Sequence, residues 1–155
     1  MLTYEHGSKK GVGSRLCVDI EDGHGGRNGR VRIDIYRQSN DEDTACAGAK
    51  KWEFADGNPA TAALTAPQCA HILSVLRGEA KSILGGKGLV VAEDDRTAIV
   101  HIDAVSKPSD SFQLHIKTQW ANGEKSEGRF LLNLTEALSL KTALESVMGR
   151  VAFGR

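Results

Sequence analysis

The feature that most constrains this chain is a series of short strands that ends in a helix and then occurs a second time. Apolar residues alternate with polar ones in residues 15–20 and 30–38, as they do in strands that have one buried face. Residues 50–56 and 60–64 predict two further short strands, separated by a turn. The first unit therefore consists of four predicted strands before its helix.

A helix closes this first unit. Thr65 is placed to cap its first turn, Pro67 suits that turn because its fixed φ is already helical, and Gly78 ends the helix. Between these signals, apolar residues recur at helical spacing, which predicts a helix with one buried face. This apolar stripe consists of Cys69, Ile72, Leu73 and Leu76.

The same order of elements follows in the second half of the chain. Residues 81–92, 97–105, 111–120 and 126–133 predict four strands, and a second helix starts at Thr135. The apolar stripes of the two helices have matching spacing. A shift of 71 residues places the first stripe on Leu140, Ala143, Leu144 and Val147.

These elements predict an α+β fold of two tandem β-β-β-β-α repeats, about residues 15–79 and 80–150, with antiparallel sheets and with helices packed on one side. A length of 155 residues suits one domain, which we place at residues 15–155. Residues 1–14 are expected to form a flexible N-terminal arm. The alternative is an unrepeated α+β domain with an eight-strand sheet system, which has the same secondary structure.

The charge and cysteine content limit the kinds of binding surface and structural site that the chain can have. The chain has 20 basic and 20 acidic residues, so any basic surface must come from local segregation of charge. Three cysteines without Cys-x-x-Cys spacing argue against a disulfide framework or a structural zinc site, and we expect reduced thiols. The chain starts without an apolar secretion signal, and no apolar run approaches the roughly 18 residues of a membrane span. We therefore expect a cytoplasmic protein that does not contact membranes.

Two β-β-β-β-α units in one chain resemble the Whirly family and its relatives, which are the mitochondrial guide-RNA-annealing proteins, the Pur-repeat proteins and the small single-strand-binding transcriptional coactivators. The resemblance covers residues 15–150 and rests on the order and length of the elements. Whirly proteins typically carry a lysine-glycine-lysine signature in an early strand, and the nearest stretches here, residues 10–11 and 86–88, do not continue that pattern. The resemblance implies single-strand binding on open sheet faces by a homo-oligomer, a dimer or a tetramer.

We therefore expect a protein that binds single-stranded nucleic acid, DNA rather than RNA, with low sequence preference, in transcription, replication or repair. No catalytic residue, cofactor or metal ion is expected. Single strands are held by cations that follow the phosphates and by planar side chains on which bases stack. The same residue types also suit a merely solvated strand face. The candidates on the polar sides of the strands are Arg30, Arg32, Tyr36, His115, Lys117 and Gln119.

Three more candidates lie near strand ends: Lys51, Trp52 and Trp120. Both tryptophans have the phase of the apolar face, which is typical of core or interface residues. An indole at the end of a strand can also emerge from the sheet and stack on a base. The two interpretations stay open at this point.

Two other function classes are also open. An assembly module without nucleic-acid binding suits the neutral charge, and salt would distinguish it, since nucleic-acid binding weakens steeply as salt rises whereas apolar contacts do not. A metal-dependent enzyme would use His101 and Asp103 of one strand with His115 of the next. Residues 85–88, Gly-Gly-Lys-Gly, are better interpreted as a bent hairpin or bulge than as a phosphate loop, because the rest of a P-loop is missing.

Overall fold

The computed structural model describes residues 2–21, 29–43, 52–54, 57–106 and 110–153. They form two four-stranded antiparallel sheets with strands in chain order, and a helix follows each sheet. The α+β fold of two β-β-β-β-α repeats is thus confirmed. Sheet 1 comprises β1 (Leu2–His6), β2 (Ser14–Glu21), β3 (Arg30–Arg37) and β4 (Ala60–Leu64), followed by α1 (Ala66–Leu76); sheet 2 comprises β5 (Leu89–Ala92), β6 (Arg96–Val105), β7 (Ser111–Trp120) and β8 (Lys125–Leu132), followed by α2 (Leu134–Phe153).

Both sheets and both helices contribute to one hydrophobic core. Ile33 of sheet 1, Ile116 of sheet 2, Ile72 of α1 and Leu140 of α2 are all fully buried within it. Each such side chain contributes about 1.5–3 kcal/mol when it leaves water. Because the two repeats share these contacts, the core belongs to neither repeat alone.

The two sheets meet where β3 and β4 lie against β7 and β8. A Cβ atom at Gly128 of β8 would lie 2.6 Å from Ile35 Cγ2 of β3, so only glycine permits this close approach. Nearby, the hydroxyl of Thr118 accepts a hydrogen bond from the N–H of Thr61 at 2.9 Å and donates one to its carbonyl at 3.0 Å. This buried hydroxyl satisfies backbone groups at the free edge of β4.

The N-terminal residues do not form the flexible arm that we expected. β1 pairs antiparallel with β2, and Leu2 lies opposite Val18. The rings of Tyr4 and His6 lie over Phe130 of β8, with centroid distances of 6.5 and 4.3 Å. The prediction was wrong although the burial of β1 does alternate, because five residues are too short a stretch to identify a strand by periodicity. The ring on which Tyr4 and His6 pack, Phe130, is also far away in sequence.

The strand predicted at residues 50–56 is also wrong. Within the part of it that the structure describes, Phe54 forms an isolated bridge with Gln38, and its ring is buried. The guanidinium of Arg15 lies 4.8 Å from the centre of that ring. The apolar residues of this segment therefore pack against sheet 1 without joining it, and β1 supplies the fourth strand.

The strand predicted at residues 81–92 is interrupted. Ser82 forms a bridge with Asp103, and regular pairing resumes only at β5. The residues between them contain a 3₁₀ turn at Ile83–Gly86 and three glycines with φ of 65°, 90° and 80°. The Gly-Gly-Lys-Gly segment thus belongs to a turn between the bridge and β5. The other predicted strands match the observed ones to within a residue at each end.

The helix boundaries follow their capping signals. Thr65 Oγ1 accepts a hydrogen bond from the N–H of Gln68, and the Gln68 side chain accepts one from the N–H of Thr65. α2 begins one residue before the predicted start, after Asn133, which exchanges the same pair of bonds with Glu136. Among the described residues, no helix has the length and apolar character needed to span a membrane.

Candidate nucleic-acid interface

The outer face of sheet 1 points away from the core and is balanced in charge. Side chains alternate along each strand, so the register of β1, β2 and β3 places three arginines and four carboxylates on this face. Several of them form pairs: Arg32 Nε lies 3.1 Å from Asp34 Oδ2, and Arg15 Nη2 lies 3.4 Å from Glu5 Oε2. This face has no surplus of positive charge. Its charged residues are Arg15, Arg30, Arg32, Glu5, Asp19, Glu21 and Asp34.

Three predicted binding residues, Arg30, Arg32 and Tyr36, lie on this balanced face. The carboxylate of Asp34 raises the pKa of Arg32, and this carboxylate is itself buried. Burial raises the pKa of the half-buried Tyr36. Of the three, Tyr36 lies beside the sheet crossing, where it lines a depression together with Lys125 of sheet 2.

The outer face of sheet 2 has a different character. Its register brings Lys117 and Gln119 of β7 beside Lys125 and Glu127 of β8. Lys117, Gln119 and Lys125 are exposed. Neither lysine forms an ion pair with any carboxylate that the structure describes. The positive charges on this side therefore remain available to a ligand.

Glu127 lies opposite Lys117 in the register, and two neighbouring side chains contact its carboxylate. His115 Nε2 lies 2.6 Å from Glu127 Oε1, and Arg129 Nη2 lies 3.5 Å from the same oxygen. The hydrogen bond from His115 lowers the pKa of Glu127. Burial lowers the pKa of His115 despite this bond, and the charges of Arg129 and Lys117 act in the same direction.

Three depressions lie where the sheets cross, and both Arg37 and Glu127 line each of them. Their volumes are about 510, 410 and 270 Å³. Because they share these residues, they form one continuous concave surface, which we call the crossing groove. Four cations and one carboxylate surround it. The cations are Arg37, Lys117, Lys125 and Arg129.

Arg37 is a functional candidate that the alternation of side chains along β3 does not predict. It has the same phase as Ile33 and Ile35, which predicts an inward side chain. β3 ends at this residue, where its exposed side chain reaches β8, and Nε donates a hydrogen bond to the carbonyl of Glu127 at 3.3 Å. Lys125 and Arg129 were not predicted because the alternation of side chains was used to choose candidates on β3 and β7 only. The same alternation places both residues on the outer face of β8.

The two tryptophans predicted near strand ends do not line the crossing groove. Trp52 packs on the backbone of the N-terminal segment, where a side chain at Gly7 would overlap the indole. Trp120 is half-buried, and the guanidinium of Arg96 lies 5.3 Å from its ring centre. Lys51 lies outside the described residues. Both indoles thus have contacts within the fold.

The proposed metal ligands lie close together without forming a ligand set. The rings of His101 and His115 stack with centroids 5.8 Å apart. His115 uses Nε2 to bond Glu127, and Asp103 lies on the next row of the sheet. Within the part of the chain that the structure describes, no three His, Cys, Asp or Glu side chains are grouped so that they could hold a metal ion.

No protein-family model and no curated protein matches the chain. Among solved structures, a guide-RNA-binding protein complex bound to a guide RNA is similar, with a TM-score of 0.63 and 18% identity over 99% of this chain and 93% of that chain. WHY1 from Arabidopsis thaliana has a TM-score of 0.69 and 10% identity over 98% and 84% of the two chains. The plant transcriptional regulator PBF-2 has a TM-score of 0.66 and 11% identity over 97% and 80%.

These similarities extend along nearly the whole chain and confirm the Whirly-like fold that the order of elements predicted. At identities of 10–18%, the common property is the path of the backbone. A shared backbone path does not transfer site residues from one protein to another.

Proposed function

We propose that this protein binds single-stranded nucleic acid and that the crossing groove holds the phosphates. One observation carries the proposal: four cations with a single carboxylate line a continuous concave surface on a chain whose total charge is zero. Cations that protein carboxylates leave unneutralised attract counterions, and a polyanion releases those counterions when it binds. The crossing groove therefore presents cations to which a polyanion can bind.

The shape of the groove favours a single strand over a duplex. Strands and loops form it, and no residue of α1 or α2 lines the three depressions, so the groove presents no helix to the major groove of a duplex. A flexible single strand can follow a concave surface between two sheets and leave its bases free to contact side chains. Contacts to phosphates carry no sequence information, so we expect low sequence preference.

The similar structures support this proposal, because one of them is a guide-RNA-binding protein complex bound to a guide RNA and another is a plant transcriptional regulator. The proposed activity is binding rather than catalysis. It suits processes that expose single strands, such as transcription, replication and repair. DNA is the expected ligand, and a direct comparison with RNA tests this choice.

Fluorescence anisotropy with labelled single-stranded DNA, single-stranded RNA and duplex DNA, each over a range of salt, tests the proposal. Single strands should bind more tightly than the duplex, and their affinity should fall linearly in log–log plots against salt. The double variant Arg37→Gln/Lys117→Gln should reduce the slope of that plot by about 1.4, which corresponds to two phosphate contacts on a single strand.

The matched control is the double variant Arg77→Gln/Lys141→Gln. It also removes two positive charges, but from the helices, where both residues pair with Glu145. The control should keep the native salt slope. Equal slopes in the groove variant and the native protein would contradict the proposed phosphate site, and an absence of binding to every ligand would contradict the function.

An assembly module is the second candidate function, and α2 carries the observation that favours it. Leu134 and Leu138 lie one turn apart on this helix and are 49% and 50% exposed. A second copy of the chain could cover them, which would form a homo-oligomer. Sedimentation of native protein and of Leu134→Ser/Leu138→Ser at high salt tests this candidate, since apolar assembly persists there and the double variant should remain monomeric.

A further inference from the structure

One wall of the crossing groove carries no charge. The depression of about 410 Å³ is lined on its β7 and β8 side by Lys117 and Lys125, and on its β6 side by Thr97 and Ile99. The register continues the uncharged wall onto β5, where Val90 lies opposite Ile99 and Ala92 opposite Thr97. We call these four outward residues of β5 and β6 the aliphatic platform.

The exposure of Val90 follows from its orientation. Its neighbours Leu89 and Val91 are buried on the inner face of β5, whereas Val90 is 60% exposed on the outer face. β5 is therefore well packed, and the strand presents an apolar side chain to solvent beside the half-buried Ile99. An apolar patch that adjoins a charged groove is typical of a ligand contact.

We propose that the aliphatic platform receives the bases of the bound strand while the phosphates lie along the cationic side of the same groove. This inference rests on the proposed function. A single strand is itself two-sided, with a charged backbone on one side and apolar base faces on the other. The depression has a similar division, since β7 and β8 supply its lysines and β6 supplies Thr97 and Ile99. β5 continues this uncharged wall beyond the depression.

The platform consists of aliphatic side chains, and this determines the kind of recognition that it can provide. Val90, Ala92 and Ile99 have no hydrogen-bonding groups with which to read base edges, and Thr97 offers only one hydroxyl. Contact is therefore with the faces of the bases, which every base possesses. The platform binds bases as a class and does not select a sequence.

The size and position of the platform favour bases over a protein partner. Four small side chains fall well short of the roughly 20–30 residues on each side of a stable protein interface. The platform is also continuous with the cationic wall, because Ile99 and Lys117 line the same depression and lie opposite each other in the register. A ligand that occupies this depression contacts both walls.

Oligonucleotides with and without bases test this inference directly. The native protein should bind an oligothymidylate about tenfold more tightly than a strand of equal length made of abasic residues. The double variant Val90→Ser/Ile99→Ser should lose most of this ratio, because it binds the base-bearing strand more weakly and the abasic strand as the native protein does. Its salt slope should equal the native slope, since no charge has changed.

Two further variants control for misfolding and for changes to exposed apolar residues elsewhere on the protein. Val90→Thr keeps the shape of the side chain at a mostly exposed position and should reduce the ratio by a smaller factor with native stability. Leu138→Ser, an equally drastic change on exposed α2, should leave the ratio at its native value.

The outcomes separate the inference from the proposed function. If the native protein binds both strands equally tightly, the bases are not on the platform, although the proposed function stands. An equal loss of both ligands in the Val90→Ser/Ile99→Ser variant would likewise overturn the inference, as would its conversion from an oligomer to a monomer, which would assign the platform to a second copy. If the native protein binds neither strand, the proposed function itself fails.

Discussion

The two sheets of this protein have the same topology but different outer faces. Each is a four-stranded antiparallel meander followed by a helix, and each buries its inner face in the shared core. The outer face of sheet 1 carries three arginines and four carboxylates, and Arg15 and Arg32 form ion pairs there. On β7 and β8 of sheet 2, Lys117 and Lys125 form no ion pair with a described carboxylate.

This difference shows where the repeat is constrained and where it is free to vary. The inner positions must be apolar in both repeats, since they fill one core of close-packed side chains. The outer positions have no such requirement, so one sheet carries balanced charges and the other carries two lysines outside any described ion pair. The inner positions therefore determine the fold that the two repeats share, and the outer positions determine what each sheet can bind.

The largest expected effect comes from breaking the contact between the sheets. Gly128→Ala places a Cβ atom 2.6 Å from Ile35 Cγ2, so β3 and β8 must separate or shift. Overpacking of this kind costs about 1–3 kcal/mol of the free energy of unfolding. Urea denaturation of the variant should show this loss, and the crossing groove should lose ligand affinity because β3 carries Arg37.

Gly57→Ala is the control for this experiment, because a Cβ atom at Gly57 would meet nothing within 4 Å. It should leave stability unchanged or raise it slightly, since alanine restricts the unfolded chain more than glycine does. Native stability in Gly128→Ala would mean that the sheets do not approach each other as closely as the structure places them.

The sequence predicted the elements that have local signals and missed the contacts between distant residues. Alternation located β2, β3, β6, β7 and β8, and capping residues located both helices, because these signals are local. The pairing of β1 with β2 and the exposure of Arg37 depend on residues distant in sequence, so they could not be read from periodicity. Lys117 and Gln119 were predicted as part of the candidate site, whereas the crossing that joins them to Arg37 is a tertiary feature.

A smaller effect should distinguish the outer faces of the two sheets. Lys125→Gln removes a groove cation, and Arg30→Gln removes one cation from the balanced face of sheet 1. The slope of log affinity against log salt should fall by about 0.7 for the first variant and stay native for the second. Anisotropy titrations of single-stranded DNA at several salt concentrations provide both slopes.

The two single variants carry the same charge change, so a difference in slope must come from position. Equal reductions would show that the strand also contacts sheet 1, and the distinction between the two outer faces would then be wrong. A reduction in Arg30→Gln alone would move the phosphate site to sheet 1.

The smallest expected effect concerns acid stability on the outer face of sheet 2. Burial lowers the pKa of His115 below its ordinary value of 6.5. Between the pKa of His115 in the folded protein and its higher pKa in the unfolded chain, the unfolded chain binds more protons than the folded protein does. The free energy of unfolding therefore falls as pH falls below about 6.5. His115→Gln should reduce this loss, which urea denaturation at pH 7.5, 6.5 and 5.5 measures.

Glu127 allows the sign of this effect to be tested further. Its hydrogen bond favours the charged form of His115 and so opposes the effect of burial. Glu127→Gln removes that opposition, so the pKa of His115 should fall further and the loss of stability should continue to lower pH. A native pH profile in this variant would show that the 2.6 Å contact does not influence the histidine. A profile that flattens would mean that the carboxylate, rather than the buried ring, is the group whose protonation destabilises sheet 2.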